Sequence, residues 1–407
     1  MRSPSPSPHH DDHLPPARVP LMAAAAGMLA ANMYYVQPLT ALLALSFHVS
    51  TAWAGYLVTA TQFGYVLGIL FLVPLSDILN RRKLLTALLV TNVGALLLAA
   101  ASTSFLIFTI ASFLMGIAAS AVMVVTAMVA LYAPEQRRGR MLGHMMTGLL
   151  IGVLLARTVS GCIAYFSNGW RAVYVLAALA AVVLLFGLRA IIQDEVPRSQ
   201  MRYGALLASL VEIVRSQPLL RQRSLLAAFG LGTFSLFWTG LTFLLSGAPY
   251  HYSELQIGMF GLLGAGAALA AGATGRVNDS GYTRQATWAL MGLLMVAWLC
   301  IGFGGHSLTL LIIGTLLVDV GVTGLQITHQ SVIYTLPPQS RARVTTVFIA
   351  SGFIGATVGS ALASASFAAG GWLGLCAAGI ALPSTMLVIW ARICWRRAHI
   401  GAASSQG

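Results

Sequence analysis

Long apolar runs separated by short polar breaks make up most of the chain. A bilayer core of about 30 Å needs roughly 20 apolar residues of helix. Membrane helices tolerate internal glycine and proline, so runs that contain these residues also qualify. The pattern predicts an all-α membrane protein with twelve transmembrane helices, at 18–46, 52–75, 83–102, 105–132, 141–166, 171–191, 222–246, 255–276, 284–303, 307–335, 342–368 and 372–393.

Positive charges in the predicted loops give the spans an orientation. With the N terminus inside, 21 of the 23 Lys and Arg residues fall in cytoplasmic loops and tails. Arg171 alone lies on the opposite side, and Arg157 lies within a span. Cytoplasmic loops of membrane proteins carry such an excess. We therefore predict a multi-pass protein of a bacterial-type inner membrane with both termini in the cytoplasm.

Composition supports a membrane protein and argues against binding of nucleic acid. The 407 residues are 58% hydrophobic and 8% charged, whereas soluble domains carry about 25% charged residues. The net charge of +13 is spread over short clusters between apolar runs. A nucleic-acid-binding protein would need these charges on one surface outside the membrane. The expected partners are the lipid bilayer, a small-molecule substrate and a proton, and the protein is expected to be monomeric.

The longest internal polar segment separates six spans from six. This predicts a disordered cytoplasmic tail at 1–17, an N-terminal half at 18–191, a cytoplasmic linker at 192–221, a C-terminal half at 222–393 and a cytoplasmic tail at 394–407. The apolar residues between Tyr203 and Arg215 have helical spacing. That segment is predicted to be a helix on the membrane surface or a plain linker helix.

The two halves resemble each other at a shift of about 202 residues. Three matched landmarks lie at the same place in each half: Asp77 with Asp279, Gly169-Trp170 with Gly371-Trp372, and Pro134–Arg140 with Pro337–Arg343. Six spans per repeat make the repeats parallel. Such repeats are related by an axis along the membrane normal, and their substrate site lies between them near the midplane.

Two ionisable residues, Arg157 and Asp319, fall deep inside predicted spans. Each costs about 2.5–3.5 kcal/mol at a helix centre on insertion scales. Both lie in the middle half of the membrane, so we expect both to face the central cavity. Asp319 would bind a proton or a cationic part of the substrate. Arg157 would bind an anionic or carbonyl group, or compensate Asp319. The alternative is a fixed pair that locks helices and never titrates.

Other polar and aromatic residues within the spans are candidates for the wall of the cavity. The alternatives are an aromatic belt for the tyrosines, plain packing for the tryptophan and interhelical hydrogen bonds for the glutamines. The candidates are Asn32, Tyr34, Tyr35 and Gln37 before Pro38 in span one, Trp238 in span seven, and Gln326, His329 and Gln330 in span ten.

Several motifs resemble a known family, the major facilitator superfamily. The loop after span two looks like the signature Gly-x-Leu-Ala-Asp-Arg-x-Gly-Arg-Arg, of which Leu75, Ser76, Asp77, Arg81 and Arg82 remain, while Val73 and Asn80 replace glycines. Narrower motifs resemble its purine-nucleoside and drug efflux branch, which includes drug:proton antiporters: Asn32–Pro38, Gly148–Gly161 with Arg157, and Asp319–Gln330.

The resemblance implies a cytoplasmic latch and a mode of transport. Asp77 with Arg81 and Arg82 would form the latch, and Asp279 would repeat it in the second half. Simple positive-inside anchoring explains the arginines but not the two acids. The branch favours proton-coupled efflux by alternating access, with uptake by symport as the alternative.

Enzymatic function has no support in the sequence. It contains no HExxH motif, no Gly-x-Ser-x-Gly motif and no phosphate-binding loop. No cofactor or metal is expected, and the chain has no nucleotide-binding domain to drive transport with ATP. A receptor or scaffold would not require the repeat, so a secondary active transporter is the predicted function.

Overall fold

A computed structural model describes residues 18–134, 136–192, 201–337 and 340–404 of the protein. The predicted tail at 1–17 and the linker residues 193–200 lie outside these residues. Fifteen α-helices follow one another along the described chain: α1 Val19–Ala31, α2 Val36–Phe47, α3 Thr51–Leu67, α4 Arg81–Ala101, α5 Phe105–Ala119, α6 Ala121–Tyr132, α7 Arg138–Phe166, α8 Arg171–Ile191, α9 Tyr203–Ser216, α10 Pro218–Ser246, α11 Glu254–Met259, α12 Ala265–Asp279, α13 Thr283–Gly302, α14 Leu308–Ile333 and α15 Arg341–Ser404.

These helices account for the predicted membrane spans. In the described chain, nine helical segments are long and apolar enough to cross a membrane, and the bent pair α1–α2 adds a tenth. α15 has non-helical backbone at Gly370 and Gly371, so it comprises two successive spans. α11, the 3-10 turn Phe260–Gly264 and α12 occupy the eighth predicted span. The all-helical, twelve-span prediction is therefore confirmed.

Polar residues immediately before the spans start several of the helices. Ser50, Asn80, Ser104 and Ser307 each accept a hydrogen bond from the backbone N–H three residues further on. Such a cap satisfies one of the N–H groups that a helix leaves unpaired and contributes about 1 kcal/mol. The short polar breaks between apolar runs therefore also determine where the helices begin.

Buried apolar side chains form two large clusters and a small one. The first draws its residues from 19–192 together with Ala350, and the second draws its residues from 226–390. In the small cluster, Leu210 and Ile213 of α9 pack with Val344 and Phe348 of α15. α9 is thus a helix docked on the end of the bundle where α1 begins, which we call the terminal side. The opposite end is called the far side.

Small residues let the first and fifth spans of each half cross at close range. In the N-terminal half, a Cβ added to Gly148 or Gly152 of α7 would collide with the carbonyl oxygen of Ala23 or Gly27 of α1. Small residues four apart on both helices permit this approach, as in membrane helix pairs generally.

The C-terminal half repeats this crossing with its own helices. A Cβ added to Gly355 or Gly359 of α15 would collide with the carbonyl oxygen of Ala228 or Gly232 of α10. The two halves therefore share a packing feature as well as sequence landmarks.

A buried polar clasp joins the two halves between the midplane and the far side. Gln62 of α3 donates from Nε2 to the hydroxyl of Ser235 of α10 at 2.8 Å. The hydroxyl of Ser360 of α15 donates to Gln62 Oε1 at 3.0 Å and also lies 2.8 Å from the hydroxyl of Thr59. We call these four residues the Gln62 clasp.

Backbone contact between α7 and α11 closes the far side further. A Cβ added to Gly161 would collide with the carbonyl oxygen of Glu254, and one added to Gly258 would lie 2.6 Å from the carbonyl oxygen of Arg157.

Toward the terminal side, Gln326 and Gln330 of α14 are partly exposed on the helix face that carries Asp319. The protein is therefore closed on the far side.

We expect Gly152→Leu to destabilise the N-terminal half, because the larger side chain would force α1 and α7 apart. Overpacking of this kind costs about 1–3 kcal/mol. The check is thermal unfolding of the purified protein in detergent, followed by the reactivity of Cys162, which is partly buried on α7. The matched control is Gly143→Leu on the same helix, since a Cβ at Gly143 meets no atom within 4 Å. Equal stability of the two variants would contradict the close crossing.

We expect Gln62→Leu to shift the protein toward a state that is open on the far side. The substitution removes two hydrogen bonds worth about 1 kcal/mol each, so the open population should rise roughly 30-fold. The measurement is labelling of Ser364→Cys, which is buried on the far side, by a membrane-impermeant maleimide in a background without the four native cysteines. The control is Gln285→Leu on α13, where the side chain is exposed. An unchanged labelling rate in Gln62→Leu would show that the clasp does not hold this state.

Candidate functional site

A break in the first span places polar side chains at the centre of the bundle. α1 ends at Ala31 and α2 begins at Val36, and the two segments bend by 40°. Pro38 has no N–H to donate and its ring disfavours helix on its N-terminal side, which accounts for a break one turn earlier. The break turns Tyr34, and Gln37 at the start of α2, toward Arg157 of α7. Asn32, at the break, donates to Asn92 Oδ1 of α4 at 2.8 Å.

Arg157 of α7 lies against this break and is 4% exposed. Its Nε donates to Gln37 Oε1. Aromatic rings surround its guanidinium: Cζ lies 4.7 Å from the ring centre of Tyr34, 5.8 Å from that of Phe234 and 4.0 Å from that of Trp238. Cation–π attraction at a desolvated site is worth about 2 kcal/mol, which offsets part of the cost of burying the charge.

Trp238 of α10 connects Arg157 to Asp319. Its indole face contacts the guanidinium, while its Nε1 donates to Asp319 Oδ1 at 3.0 Å. Asp319 is 3% exposed, and a Cβ added to Gly264 would lie 3.3 Å from Asp319 Oδ2. The one ion pair found among the described residues joins Arg81 to Asp77. No Arg157 nitrogen therefore lies within 4.0 Å of an Asp319 oxygen in that part of the chain.

Both buried charges therefore contact the Trp238 indole, Arg157 at its face and Asp319 at its Nε1–H. They make no direct salt bridge with each other. The arrangement leaves a carboxyl group that can change protonation without breaking an ion pair. It also leaves a guanidinium whose contacts are Gln37 and aromatic rings. These two groups can serve a proton and an acceptor group of a ligand, respectively.

The other candidates of span ten lie away from this site. His329 is fully buried, and its Nδ1 lies 3.2 Å from Arg223 Nη1 of α10. The guanidinium of Arg223 also lies 4.7 Å from the ring centre of Trp390. Gln330 donates to the hydroxyl of Tyr334 at 2.8 Å. Their positions follow from the length of α14, because residues 326–330 are about two to three turns from Asp319.

Tyr35 is buried in the first apolar cluster beside the break. It shares the break with Tyr34, but the described contacts of Arg157 are with the ring of Tyr34. Sequence reasoning treated the two tyrosines alike, since it had no basis for choosing the one that faces the guanidinium.

The predicted latch is only partly assembled. Arg81 Nη2 lies 3.6 Å from Asp77 Oδ1, and the Asp77 side chain is 56% exposed. Arg82 donates to the carbonyl oxygen of Arg189 at 3.1 Å. These described contacts lie within the N-terminal half. Asp279 is exposed at the end of α12 and has no hydrogen bond or ion pair with a described residue.

Sequence reasoning missed Gln62, Asn92 and Phe234. Gln62 and Asn92 could have been noticed, because an amide inside an apolar span needs a partner just as a charge does. Phe234 carried no signal of its own, since one more aromatic residue in an apolar helix is ordinary. Its place beside Arg157 depends on how α10 and α7 approach each other.

Comparisons with known proteins agree with this architecture. The family model described as Major Facilitator Superfamily matches residues 22–324. The "Uncharacterized transporter YgaY" of Escherichia coli O157:H7 is 37% identical over 396 residues, which cover 96% of this chain and 98% of that protein. The "Probable transporter SCO4007" of Streptomyces coelicolor is 32% identical over 368 residues, 88% of this chain and 83% of that protein.

A solved structure shows the same fold at low sequence identity. A mutant form of the nucleoside transporter NupG superposes with a TM-score of 0.73 at 12% identity, covering 92% of this chain and 98% of that one. The twelve spans, the repeated helix crossing, the buried polar site between the halves and the family match all agree. The chain belongs to the major facilitator superfamily and is a membrane transporter, not an enzyme.

Proposed function

We propose that the protein is a proton-coupled secondary transporter of a small organic molecule, in which Asp319 carries the proton. The observation that supports this most is the environment of Asp319. Its carboxyl group is buried near the centre of the bundle, and Trp238 is the donor that contacts it. Ionisable residues at membrane depth mark ion and proton pathways in transporters.

Substrate would bind beside Asp319, between the two halves. Arg157, Tyr34, Trp238 and Gln37 form a compact group from α1–α2, α7 and α10. The Gln62 clasp closes this group from the far side. Opening of the clasp, together with closure on the terminal side, would switch access to the site from one side of the membrane to the other by alternating access. The ion pair of Arg81 with Asp77 would act on the terminal side as part of a latch.

The direction of transport depends on whether proton and substrate bind together or in turn. With the termini in the cytoplasm of a bacterial-type inner membrane, as the loop charges predict, the resemblance to the efflux branch favours antiport. Uptake by symport is the second candidate. Symport is supported by two neighbouring groups. No carboxylate of a described residue contacts the guanidinium of Arg157, and a proton can neutralise Asp319 beside it.

Identification of the substrate comes first. A mixture of metabolites and drugs is presented to cells that lack or overexpress the chain, and mass spectrometry of the cell contents finds the compound whose level changes. Proteoliposomes with an imposed pH gradient then show whether that compound moves with or against the proton. Flux that does not depend on the imposed pH gradient would contradict proton coupling.

We expect Asp319→Asn to abolish flux driven by a pH gradient, because an amide cannot bind and release a proton at this position. The measurement is gradient-driven flux of the identified compound in proteoliposomes, compared with exchange of that compound at equal pH on both sides. Exchange should persist, which would show that the variant is inserted and binds substrate. Glu212→Gln, at an exposed acid of α9 outside the site, is the matched control. Full gradient-driven flux in Asp319→Asn would overturn the role of Asp319.

A further inference from the structure

One terminal nitrogen of Arg157 has no hydrogen-bond partner. Its Nη2 is fully buried and has no acceptor among the described residues, although Nε donates to Gln37. A buried donor without a hydrogen bond costs about 1–3 kcal/mol, and more when it is charged. A buried donor at the centre of the candidate site is therefore suited to bind an acceptor group of a ligand.

The charge of Arg157 is also without a contacting counter-ion. No carboxylate oxygen of a described residue lies within 4.0 Å of it. The aromatic rings of Tyr34, Phe234 and Trp238 stabilise the cation through their faces, but they do not neutralise it. An isolated buried charge is among the least stable features a protein interior can have.

No carboxylate of a described residue contacts the guanidinium. Of the ten acidic residues, Asp319 is the one within the middle of a span, and the rest fall in predicted loops and tails. Asp319 contacts the Nε1–H edge of Trp238 and Arg157 contacts its face, and the two charged groups make no ion pair with each other. A substrate acceptor that carries negative charge would supply both the hydrogen bond that Nη2 lacks and a counter-ion for the guanidinium.

We infer that the substrate is a small organic anion whose carboxylate or sulfonate group binds Nη2 of Arg157, and that it binds together with a proton on Asp319. This inference rests on the proposed proton-coupled transport, and it selects symport, the second candidate for its direction, over antiport. Neutralising Asp319 removes the one negative charge near Arg157, so the guanidinium attracts an anion more strongly. Binding of the anion favours protonation of Asp319 by the same factor, because linkage is reciprocal.

A cationic substrate fits the site poorly. It would have to approach Asp319 beside the guanidinium of Arg157, which lies 4.0 Å from the centre of the same Trp238 ring. Like charges in a low-dielectric site repel strongly. The same rings suit the body of an anion that is planar or apolar, because aromatic faces stack on such groups.

Groups on the surrounding helices leave Asp319 and Arg157 as the coupled charges. Asp319 faces the indole of Trp238 from α10 and the backbone of Gly264 from the turn before α12. On the α13 side, Leu294 packs against Gly321 of α14. Arg157 is the charged residue that α7 contributes to the surroundings of Asp319. His329 lies further along α14 and contacts Arg223 instead.

The test is binding of matched ligands to the purified protein in nanodiscs. The probes are 3-phenylpropionate, 3-phenylpropionamide, 3-phenylpropylamine and 3-phenylpropane-1-sulfonate, extended to a library of such sets on other scaffolds. Binding is measured by thermal shift and by tryptophan fluorescence. The sulfonates keep their charge at every pH used, so any pH dependence of their binding belongs to the protein.

We expect acids and sulfonates to bind and the matched amides and amines to bind more weakly or not at all. Sulfonate affinity should rise about tenfold from pH 8 to pH 5.5, within the range of coupling between two sites. Arg157→Gln should weaken anion binding about 30-fold or more, as loss of one partner of a buried charged contact does. Arg157→Lys, which keeps the charge, should bind anions with intermediate affinity. Asp319→Asn should bind the sulfonates tightly at both pH values.

The outcomes separate this inference from the proposed function. If amines or amides are the ligands, if no anion in the library binds, or if anion binding survives Arg157→Gln unchanged, the anion site is wrong even where Asp319-dependent flux stands. If anions bind through Arg157 but pH has no effect on sulfonate affinity, joint binding with a proton is wrong. If anion binding is as expected while flux ignores the pH gradient, proton coupling itself fails.

Discussion

A charge placed in the middle of a membrane protein must find partners that the bilayer cannot supply, and this constraint organises the structure. Lipid offers neither water nor counter-ions, so every buried polar group depends on another part of the chain or on a ligand. Arg157 meets this requirement with one amide and three aromatic rings. Asp319 meets it with one indole N–H. Neither group is saturated, which is what a site that exchanges ligands requires.

Interruptions in the helices have the same origin. A straight first span would keep its backbone groups paired, but it would carry Tyr34 and Gln37 past the site on a uniform helical path. The break before Pro38 changes that path by 40° and brings both side chains to Arg157. At Gly371 the backbone has a φ of 56°, a conformation that glycine adopts without a steric penalty. This lets one long helical run turn back as two spans.

Close packing holds the crossings within each half, while the interface between the halves combines the close contact of α7 and α11 with polar contacts. Within each half, small residues bring the first and fifth spans into backbone contact, and such a crossing resists movement because side chains cannot slide past it. Between the halves, the Gln62 clasp uses a few hydrogen bonds of about 1 kcal/mol each. Rigid halves joined by modest contacts are suited to rocking between two states, since the cost of parting them stays within reach of ligand binding.

The sequence by itself determined the spans, the repeat and the presence of two ionisable residues at membrane depth. All three follow from local hydropathy and from regular spacing, so they can be recognised without knowing any contact. It also marked Trp238, Tyr34 and Gln37 as polar or aromatic residues at suitable depth. Gln330 satisfied the same criteria, yet its described contact is with Tyr334.

Only the tertiary structure decided that Trp238 stands between Arg157 and Asp319, and that Gln62 joins the halves. The contacts of Trp238 with Asp319, of Gln37 with Arg157 and of Gln62 with Ser235 span 81, 120 and 173 residues of chain. Helical periodicity relates residues a few turns apart and carries no information about such separations. Which faces of α3, α7, α10 and α14 meet is decided by how all the helices pack, and that packing created the site.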